Sequence, residues 1–363
     1  MKEIQKIKDK QEKEAISKLN EKYQLASYEL EIDKNGYVVK LSLFQNNLTE
    51  IPKNIETLTH LKELNLNSNQ LIKIKGLENL SQLEFLYIST NKITKIEGLD
   101  NLTQLVKLSL YYNQIERIEG LENLSDLKIL WIGSNKIQKI EGLDNLRNLE
   151  ELSIHHNPIK KIDGLDNLIN LKKLFLYNNE ITKITGLINL KNLELLSMDF
   201  NKIQKIEGLY KLSSLNELWL NNNQIKKIEG LTDLSNLTRL GLNNNQIVNI
   251  EGLENLKKLR DLYLVNNKIK KIEGLGKLDE LLNLKLSPEL LSKEDKELYE
   301  KGAYFIVNYL KQTEEKRREQ LDRLIQKLRI LEAKSKMEGL KLEDYEHLQK
   351  EIEDLSKKIK DFK

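Results

Sequence analysis

The sequence contains no cysteine, only three prolines and only four histidines in 363 residues. Without a thiol the chain cannot form disulfides, use a cysteine nucleophile or bind zinc through thiolates. This agrees with a reducing compartment, and the first fifteen residues, MKEIQKIKDKQEKEA, lack the apolar run of a secretion signal. Nowhere do 18 apolar residues follow one another, so no membrane-spanning helix is expected. We therefore expect a cytoplasmic protein without a membrane partner.

The sequence also lacks an excess of charge of one sign. Its 59 lysines and arginines nearly balance its 56 aspartates and glutamates, for a formal net charge of +3. The two signs are interspersed along the chain, whereas a phosphate backbone is bound by clustered lysines and arginines. The composition therefore predicts no nucleic-acid partner.

What the sequence does contain is a unit of 22 residues, repeated with almost no drift. Between Leu83 and Leu102 it reads L-x-x-L-x-I-x-x-N-x-I-x-x-I-x-G-L-x-x-L. The asparagine of the unit starts at Asn46, 23 residues before Asn69. From Asn69 it recurs every 22 residues, at Asn91, Asn113, Asn135, Asn157, Asn179, Asn201, Asn223, Asn245 and Asn267. A fixed period in the twenties is typical of a solenoid in which each repeat forms one coil.

Each coil is predicted to contribute one short strand, for twelve strands between Leu41 and Leu286. Leucines alternate with other residues, as at Leu108 and Leu110, which indicates a strand with one buried face. One coil cannot stand alone, because its buried Leu and Ile contribute about 10–15 kcal/mol while ordering the residues costs roughly 1–2 kcal/mol each. The coils must therefore stack. The asparagine is expected to point inward and pair with loop backbone, since an unpaired buried amide costs about 1–3 kcal/mol.

This pattern resembles the leucine-rich repeat superfamily, in the 22-residue class shared by the regulatory subunit of type-1 protein phosphatase and by bacterial internalins. The resemblance covers Leu41 to Leu286 and implies an α/β solenoid. It further implies a curved horseshoe with a parallel concave sheet of about twelve strands that grips a protein partner. The run from Gly302 to Leu310 is similar to the helix after the repeats in bacterial Roco-type GTPases. No G-x-x-x-x-G-K-[ST] phosphate loop follows it, so GTPase activity is not expected.

The two ends of the chain are predicted to cover the open ends of the solenoid, which occupies residues 41–287. Residues 1–40 are predicted to form an N-terminal cap, with a helix to about residue 25, a strand from Tyr28 to Ile32 and a tight turn at Asn35-Gly36. Residues 288–312 are predicted to form a C-terminal capping helix, with Pro288 in its first turn.

Residues 313–363 carry two heptad-like patterns, separated by a break from Lys334 to Gly339. They predict a helical hairpin or coiled-coil tail that pairs either within one chain or across a homodimer. The apolar positions are Leu321, Leu324, Leu328 and Leu331 before the break, and Tyr345, Leu348, Ile352, Leu355, Ile359 and Phe362 after it.

Five aromatic residues occupy the outward position between the two strand leucines, in every second coil. They are Tyr87, Trp131, Phe175, Trp219 and Tyr263. Neighbouring strands lie about 4.8 Å apart, which predicts rings about 10 Å apart with shallow gaps over the Ser or Gly between them. Exposed aromatic rows usually mark a binding surface. Two alternatives need no partner: the rings lie flat and cover the sheet, or a pair of coils was duplicated together with its aromatic residue.

Neighbouring outward columns add further candidate contact residues. The aromatic ones are Phe85, Tyr111 and Tyr177, and the acidic ones are Glu151, Asp199, Glu217 and Asp261. Such a mixed apolar and charged face fits a protein or peptide ligand. The pair His155-His156 lacks a full ligand set, so we expect no metal. Strand serines such as Ser153 recur as small fillers and give no Ser-His-Asp arrangement, so we expect no catalytic residue and no cofactor. The sequence predicts a non-catalytic interaction module. The alternative is an accessory component of a phosphatase-like or Roco GTPase-like signalling system that acts in trans.

Overall fold

The computed structural model describes residues 2–336 and 342–362. Within these residues one sheet contains thirteen strands, each paired with the next one in the sequence. Strand β1 (Leu30–Ile32) runs antiparallel to β2 (Val38–Ser42), and the later strands follow β2 in parallel. Strands β3 to β13 span Glu63–Asn65, Phe85–Tyr87, Lys107–Ser109, Ile129–Trp131, Glu151–Ser153, Lys173–Phe175, Leu195–Ser197, Glu217–Trp219, Arg239–Gly241, Asp261–Tyr263 and Asn283–Lys285. The predicted parallel sheet of twelve strands is confirmed, with β1 as an added edge strand.

The constant repeat length keeps equivalent residues side by side. The central leucine of each strand is in register with that of the next, as for Leu108 and Leu130, or Leu218 and Leu240. The Leu and Ile of successive coils thereby form a single continuous core, and Leu130 and Leu218 are fully buried. The first coil is one residue longer than the others, yet Leu41 still pairs with Leu64, so no strand slips and turns its apolar face towards solvent.

The repeated asparagine links each coil to the preceding one. Asn113 accepts a hydrogen bond at Oδ1 from the Ile93 amide at 3.0 Å. Its Nδ2 donates to the Ile88 carbonyl at 3.0 Å and to the Leu110 carbonyl at 3.1 Å. The ladder predicted from the sequence is therefore present. Each amide satisfies backbone groups that would otherwise be buried without a partner.

The N-terminal cap differs from the single helix predicted. A 3₁₀ turn at Glu3–Lys6 precedes helix α1 (Lys10–Tyr23), and the residues between them are not helical. The helix starts late because the Asp9 side chain caps it, accepting from the Glu12 amide at 2.9 Å. The Lys8 amide meanwhile donates to the Gly36 carbonyl at 3.1 Å, which ties this segment to the hairpin turn. The predicted strand also begins late, at β1, because a 3₁₀ turn occupies Ser27–Glu29.

Buried Glu12 joins the cap to the first coils, a role that the sequence did not indicate. Its side chain is 2% exposed. Oε2 accepts from the Val38 amide at 2.8 Å, and Oε1 lies 3.1 Å from Nδ1 of His60. The His60 ring in turn stacks on Tyr37 with the centroids 3.7 Å apart.

The predicted boundary between residues 312 and 313 is wrong, because it falls inside one helix. A 3₁₀ turn (Pro288–Leu290) and helix α2 (Lys293–Glu300) are followed by helix α3, which runs from Ala303 to Lys334. The chain breaks earlier, at Gly302, whose φ of +86° no helix accommodates. The first turns of α3 cover the last coil and its later turns form the tail, so one helix does both.

The tail pairs within the chain. Helix α4 (Leu342–Phe362) packs on α3, and Lys327 Nζ lies 3.0 Å from Glu351 Oε1. Their contact is a small separate cluster of Leu321, Leu324, Ile325, Leu328, Leu331, Leu348, Ile352, Leu355 and Ile359. Part of the predicted break, including Gly339, and the side chains of Tyr345 and Phe362 lie outside the described residues. In the described part of the chain, every helix is too short or too polar to cross a bilayer.

Candidate functional site

The open face of the sheet is formed by three side chains of each coil. Two of them flank the central leucine of the strand, and the third belongs to the residue three positions after that leucine. The open face corresponds to the concave face expected of a horseshoe. The structure places all the predicted contact residues on it, and each is half-buried. They are Tyr87, Trp131, Phe175, Trp219, Tyr263, Phe85, Tyr111, Tyr177, Glu151, Asp199, Glu217 and Asp261.

The predicted spacing of about 10 Å between rings is wrong for Trp219 and Tyr263. Their ring centroids lie only 5.7 Å apart. A Cβ added at Gly241, in the strand between them, would lie 2.5 Å from Cε3 of Trp219. The indole therefore lies across the glycine and reaches Tyr263, because this contact buries more apolar surface than an upright ring. The half-buried rings still offer their outer faces to solvent.

A second group, which we call the aromatic stack, consists of Tyr111, Trp131, His155 and Tyr177. Tyr111 stacks on Trp131 with the centroids 5.6 Å apart, and His155 stacks on Tyr177 at 4.2 Å. Tyr111 and His155 are joined at 5.2 Å. Gly133 lies beneath, and a Cβ there would be 2.8 Å from both the His155 and Tyr111 rings. His155 and Gly133 were not among the predicted contact residues, although a glycine between coils that carry aromatic residues indicates close packing.

Polar contacts hold the rings of the stack in place. Trp131 Nε1 donates to Glu151 Oε1 at 2.7 Å, and the Tyr111 hydroxyl donates to Ser153 Oγ at 2.8 Å. Lys107 Nζ lies 3.4 Å from the centroid of the Trp131 ring. Burial raises the pKa of Tyr111 to about 12, and burial lowers the pKa of Lys107 despite the opposing charge of Glu151. The tyrosine is therefore a neutral donor at physiological pH.

Most acidic residues predicted to contact a partner are already bonded within the protein. Arg239 lies between Glu217 and Asp261, at 2.9 Å and 3.4 Å. Asp199 Oδ1 accepts from the backbone amide of Asn221 at 2.6 Å and from its Nδ2 at 2.9 Å. Burial raises the pKa of Asp199. These carboxylates position their neighbours, and the rings are left as the larger contact surface.

His155 makes the stability of the stack depend on pH. Its side chain is 9% exposed, and burial, followed by the charge of His156, lowers its pKa from 6.5 to about 4. The Nδ1 atoms of the two imidazoles lie 2.8 Å apart, so one of them donates and the other accepts. The other rings that face His155 are Tyr111 and Tyr177.

We expect His155→Phe to reduce the loss of stability between pH 7 and pH 4.5 by about 2 kcal/mol. The folded-state pKa of His155 is depressed, so the unfolded chain takes up the proton first as the pH falls through 6.5. Stability from neutral His155 is therefore present above pH 6.5 and lost towards pH 4. Urea unfolding of both proteins at the two pH values measures this difference. Equal losses would contradict the assignment.

Comparison with known proteins identifies the repeats. A family model described as a leucine-rich repeat region matches residues 37–228, and a model of two leucine-rich repeat copies matches residues 235–286. The chain belongs to the leucine-rich repeat family. This confirms the superfamily predicted from the sequence, and it supports a protein–protein interaction module. A comparison with curated proteins found no match.

Solved leucine-rich repeat structures share this architecture. An internalin (inlF) from Listeria monocytogenes is 32% identical, with a TM-score of 0.58 over 78% of this chain and 90% of the internalin chain. The leucine-rich repeat protein LIC12759 from Leptospira interrogans is 27% identical, with a TM-score of 0.63 over 72% of this chain and 81% of its own. The likeness extends over most of both relatives, so the repeat array as a whole is the shared unit.

Proposed function

We propose that this protein is a non-catalytic leucine-rich repeat module that binds a protein or peptide partner on the open face of its sheet. The observation that carries the proposal is the series of half-buried rings along that face, which recur from Tyr87 to Tyr263. Trp and Tyr are favoured anchors in protein interfaces because each buries a large area with few rotatable bonds.

The charges of the open face favour a protein over a nucleic acid. Two lysines of this face are paired with carboxylates, Lys40 with Glu63 at 2.9 Å and Lys173 with Glu151 at 3.8 Å. A cation that is already paired contributes less to the binding of a nucleic acid. That binding depends on free Lys and Arg, which neutralise phosphates and release the counterions of the nucleic acid. A partner with an apolar centre and a polar periphery matches this face.

The rings are also held ready for binding. Trp131 is fixed by its bond to Glu151 and by the stacked Tyr111 ring, and Trp219 Nε1 donates to Glu217 Oε2 at 3.1 Å. A side chain that is already ordered loses little conformational entropy when a partner covers it. The same bonds explain why the acids on this face accompany the tryptophans.

We expect the double variant Trp131→Ala/Trp219→Ala to weaken partner binding at least tenfold, because aromatic anchors commonly contribute about 2 kcal/mol or more each. Immobilised wild-type chain first captures a partner from extracts of the source cells. The purified partner is then titrated against wild type and variant, with thermal unfolding of both proteins recorded in parallel.

Tyr28→Ala/Tyr210→Ala is the matched control. These tyrosines are 81% and 51% exposed, and neither occupies an open-face position, so the control should bind as wild type does. Unchanged affinity of the tryptophan variant, accompanied by a large fall in its unfolding temperature, would assign the tryptophans to stability and reject the proposal.

A further inference from the structure

One position in each coil, directly after the open face, has a left-handed backbone. We call it the rim position, and its φ lies between +51° and +58° throughout. Small residues or asparagine occupy most of these positions, and an aromatic ring occurs at three of them, each two coils from the next. The rim residues are Gln45, Ser68, Thr90, Tyr112, Ser134, His156, Asn178, Phe200, Asn222, Asn244 and Asn266.

The fold itself gives no reason for aromatic side chains at Tyr112 and Phe200. A bulky residue at positive φ is strained, whereas asparagine adopts this conformation readily. Burial does not compensate, because Tyr112 is 63% exposed and Phe200 is 52% exposed. Strain that is retained at an exposed site commonly serves a function. The rings of Tyr112 and Phe200 lower the stability of the fold and remain exposed to solvent. Contact with another molecule explains why they are present.

The rim aromatics continue the aromatic stack. Tyr112 and His156 directly follow Tyr111 and His155, which belong to the stack. The His156 ring meets Tyr177 edge-on with the centroids 5.4 Å apart. A partner seated on the stack would therefore reach the rim without crossing a polar gap.

The spacing of the rim aromatics indicates the shape of the partner. Two coils separate Tyr112 from His156 and His156 from Phe200, which corresponds to about 10 Å per interval. A helix advances about 10.5 Å in seven residues and presents every seventh side chain on one face. An extended strand covers that distance in three residues, which point to opposite faces. A helix is also about 10–12 Å wide, enough to touch the rim and the stack together.

The charges beside this surface specify the partner further. Among the described residues, no carboxylate lies within 4.0 Å of the ammonium of Lys107 or Lys136. Lys107 lies over the Trp131 ring, and Lys136 follows the rim residue Ser134 by two positions. These two cations therefore favour acidic side chains on the bound molecule.

We propose that Tyr112, His156 and Phe200, with the aromatic stack, form a docking surface for an amphipathic helix of a protein partner. The helix carries apolar side chains seven residues apart, with Asp or Glu beside them. This inference rests on the proposed function, and it identifies the class of partner that the open face binds.

The test uses the full chain and a phage-displayed library of random 16-residue peptides. Peptides selected on the wild type are titrated against Tyr112→Asn/Phe200→Asn. The matched control is Thr90→Asn/Ser134→Asn, which changes non-aromatic rim residues.

We expect selected peptides to have apolar residues at positions i and i+7 with acidic residues between. Their affinity should fall at least tenfold for the aromatic variant and stay unchanged for the control. The aromatic variant should also unfold at a temperature about 2 °C or more above wild type, since strain is removed.

Two results would overturn this inference. One is that every selected peptide binds the rim variant as tightly as wild type. The other is that the rim-dependent peptides carry proline at every third residue. Titration of the same peptides against Trp131→Ala/Trp219→Ala separates the two proposals. Peptides that need the tryptophans but not the rim reject the helix-docking surface and leave the proposed function standing. Peptides that need neither reject both.

Discussion

Substitution of alanine for Gly186 should lower the free energy of unfolding by about 3–5 kcal/mol. Gly186 has a φ of +69°, and an added Cβ would lie 2.6 Å from the Ile162 carbonyl oxygen of the preceding coil. That carbonyl belongs to the backbone and accepts from Thr185 Oγ1 at 3.3 Å, so it has little freedom to move aside. The two coils would have to separate, which disturbs the interface that stabilises both.

Gly76→Ala is the control for this prediction. Gly76 also has a positive φ, +89°, but an added Cβ there would have no atom within 4 Å. Only the backbone strain then applies, and we expect a loss of about 1–2 kcal/mol. Urea unfolding followed by circular dichroism measures both variants against wild type. Equal losses would show that backbone strain alone explains the glycine, and that the close approach of the coils contributes nothing.

Ile306→Asp should destabilise the C-terminal end of the solenoid by about 4 kcal/mol or more, because it buries an unpaired carboxylate. Ile306 is fully buried, and it belongs to the core that runs through all the coils. Its neighbour Val307 in the same turn of α3 is 4% exposed, so water has no access to a charge placed there. Release of this turn would expose the leucines of the last coil.

Tyr304→Asp provides the matched comparison, since Tyr304 is 78% exposed and lies two residues away in the same helix. A surface substitution of this kind changes stability by only about 0.5 kcal/mol. Urea unfolding and binding of the dye ANS, which reports exposed apolar surface, should separate the two variants. If Ile306→Asp unfolded like Tyr304→Asp, the first turns of α3 would not be the cap of the repeat array.

The repeat array was predictable because its information is local and recurs. One unit specifies a strand, a corner and an inward amide, and the same spacing from Asn69 to Asn267 forces equivalent residues into register. The ends lack this redundancy. The break at Gly302 depends on one backbone angle, and the late start of α1 depends on one capping hydrogen bond from the Glu12 amide to Asp9. Periodicity in the sequence predicts neither of them.

The candidate site was predictable in part for the same reason. Alternation along each strand indicates which residues face outward, and the structure places Trp131 and Trp219 on the open face. The alternation does not indicate which conformation each ring adopts or which neighbours it contacts. That Trp219 leans over Gly241, and that the Lys107 ammonium lies on the Trp131 ring, are outcomes of packing between coils.

By itself, the sequence determined the solenoid, its family, the register of its coils and the column of rings on its sheet. These follow from hydrophobic period and repeat length, which act over one or two coils. Only the tertiary structure decided which rings touch, that Glu12 is buried beneath the first coils, and that Tyr112 and Phe200 stand exposed at positive φ. Such features depend on atoms that are brought together from different coils and on backbone angles that residue identity does not reveal.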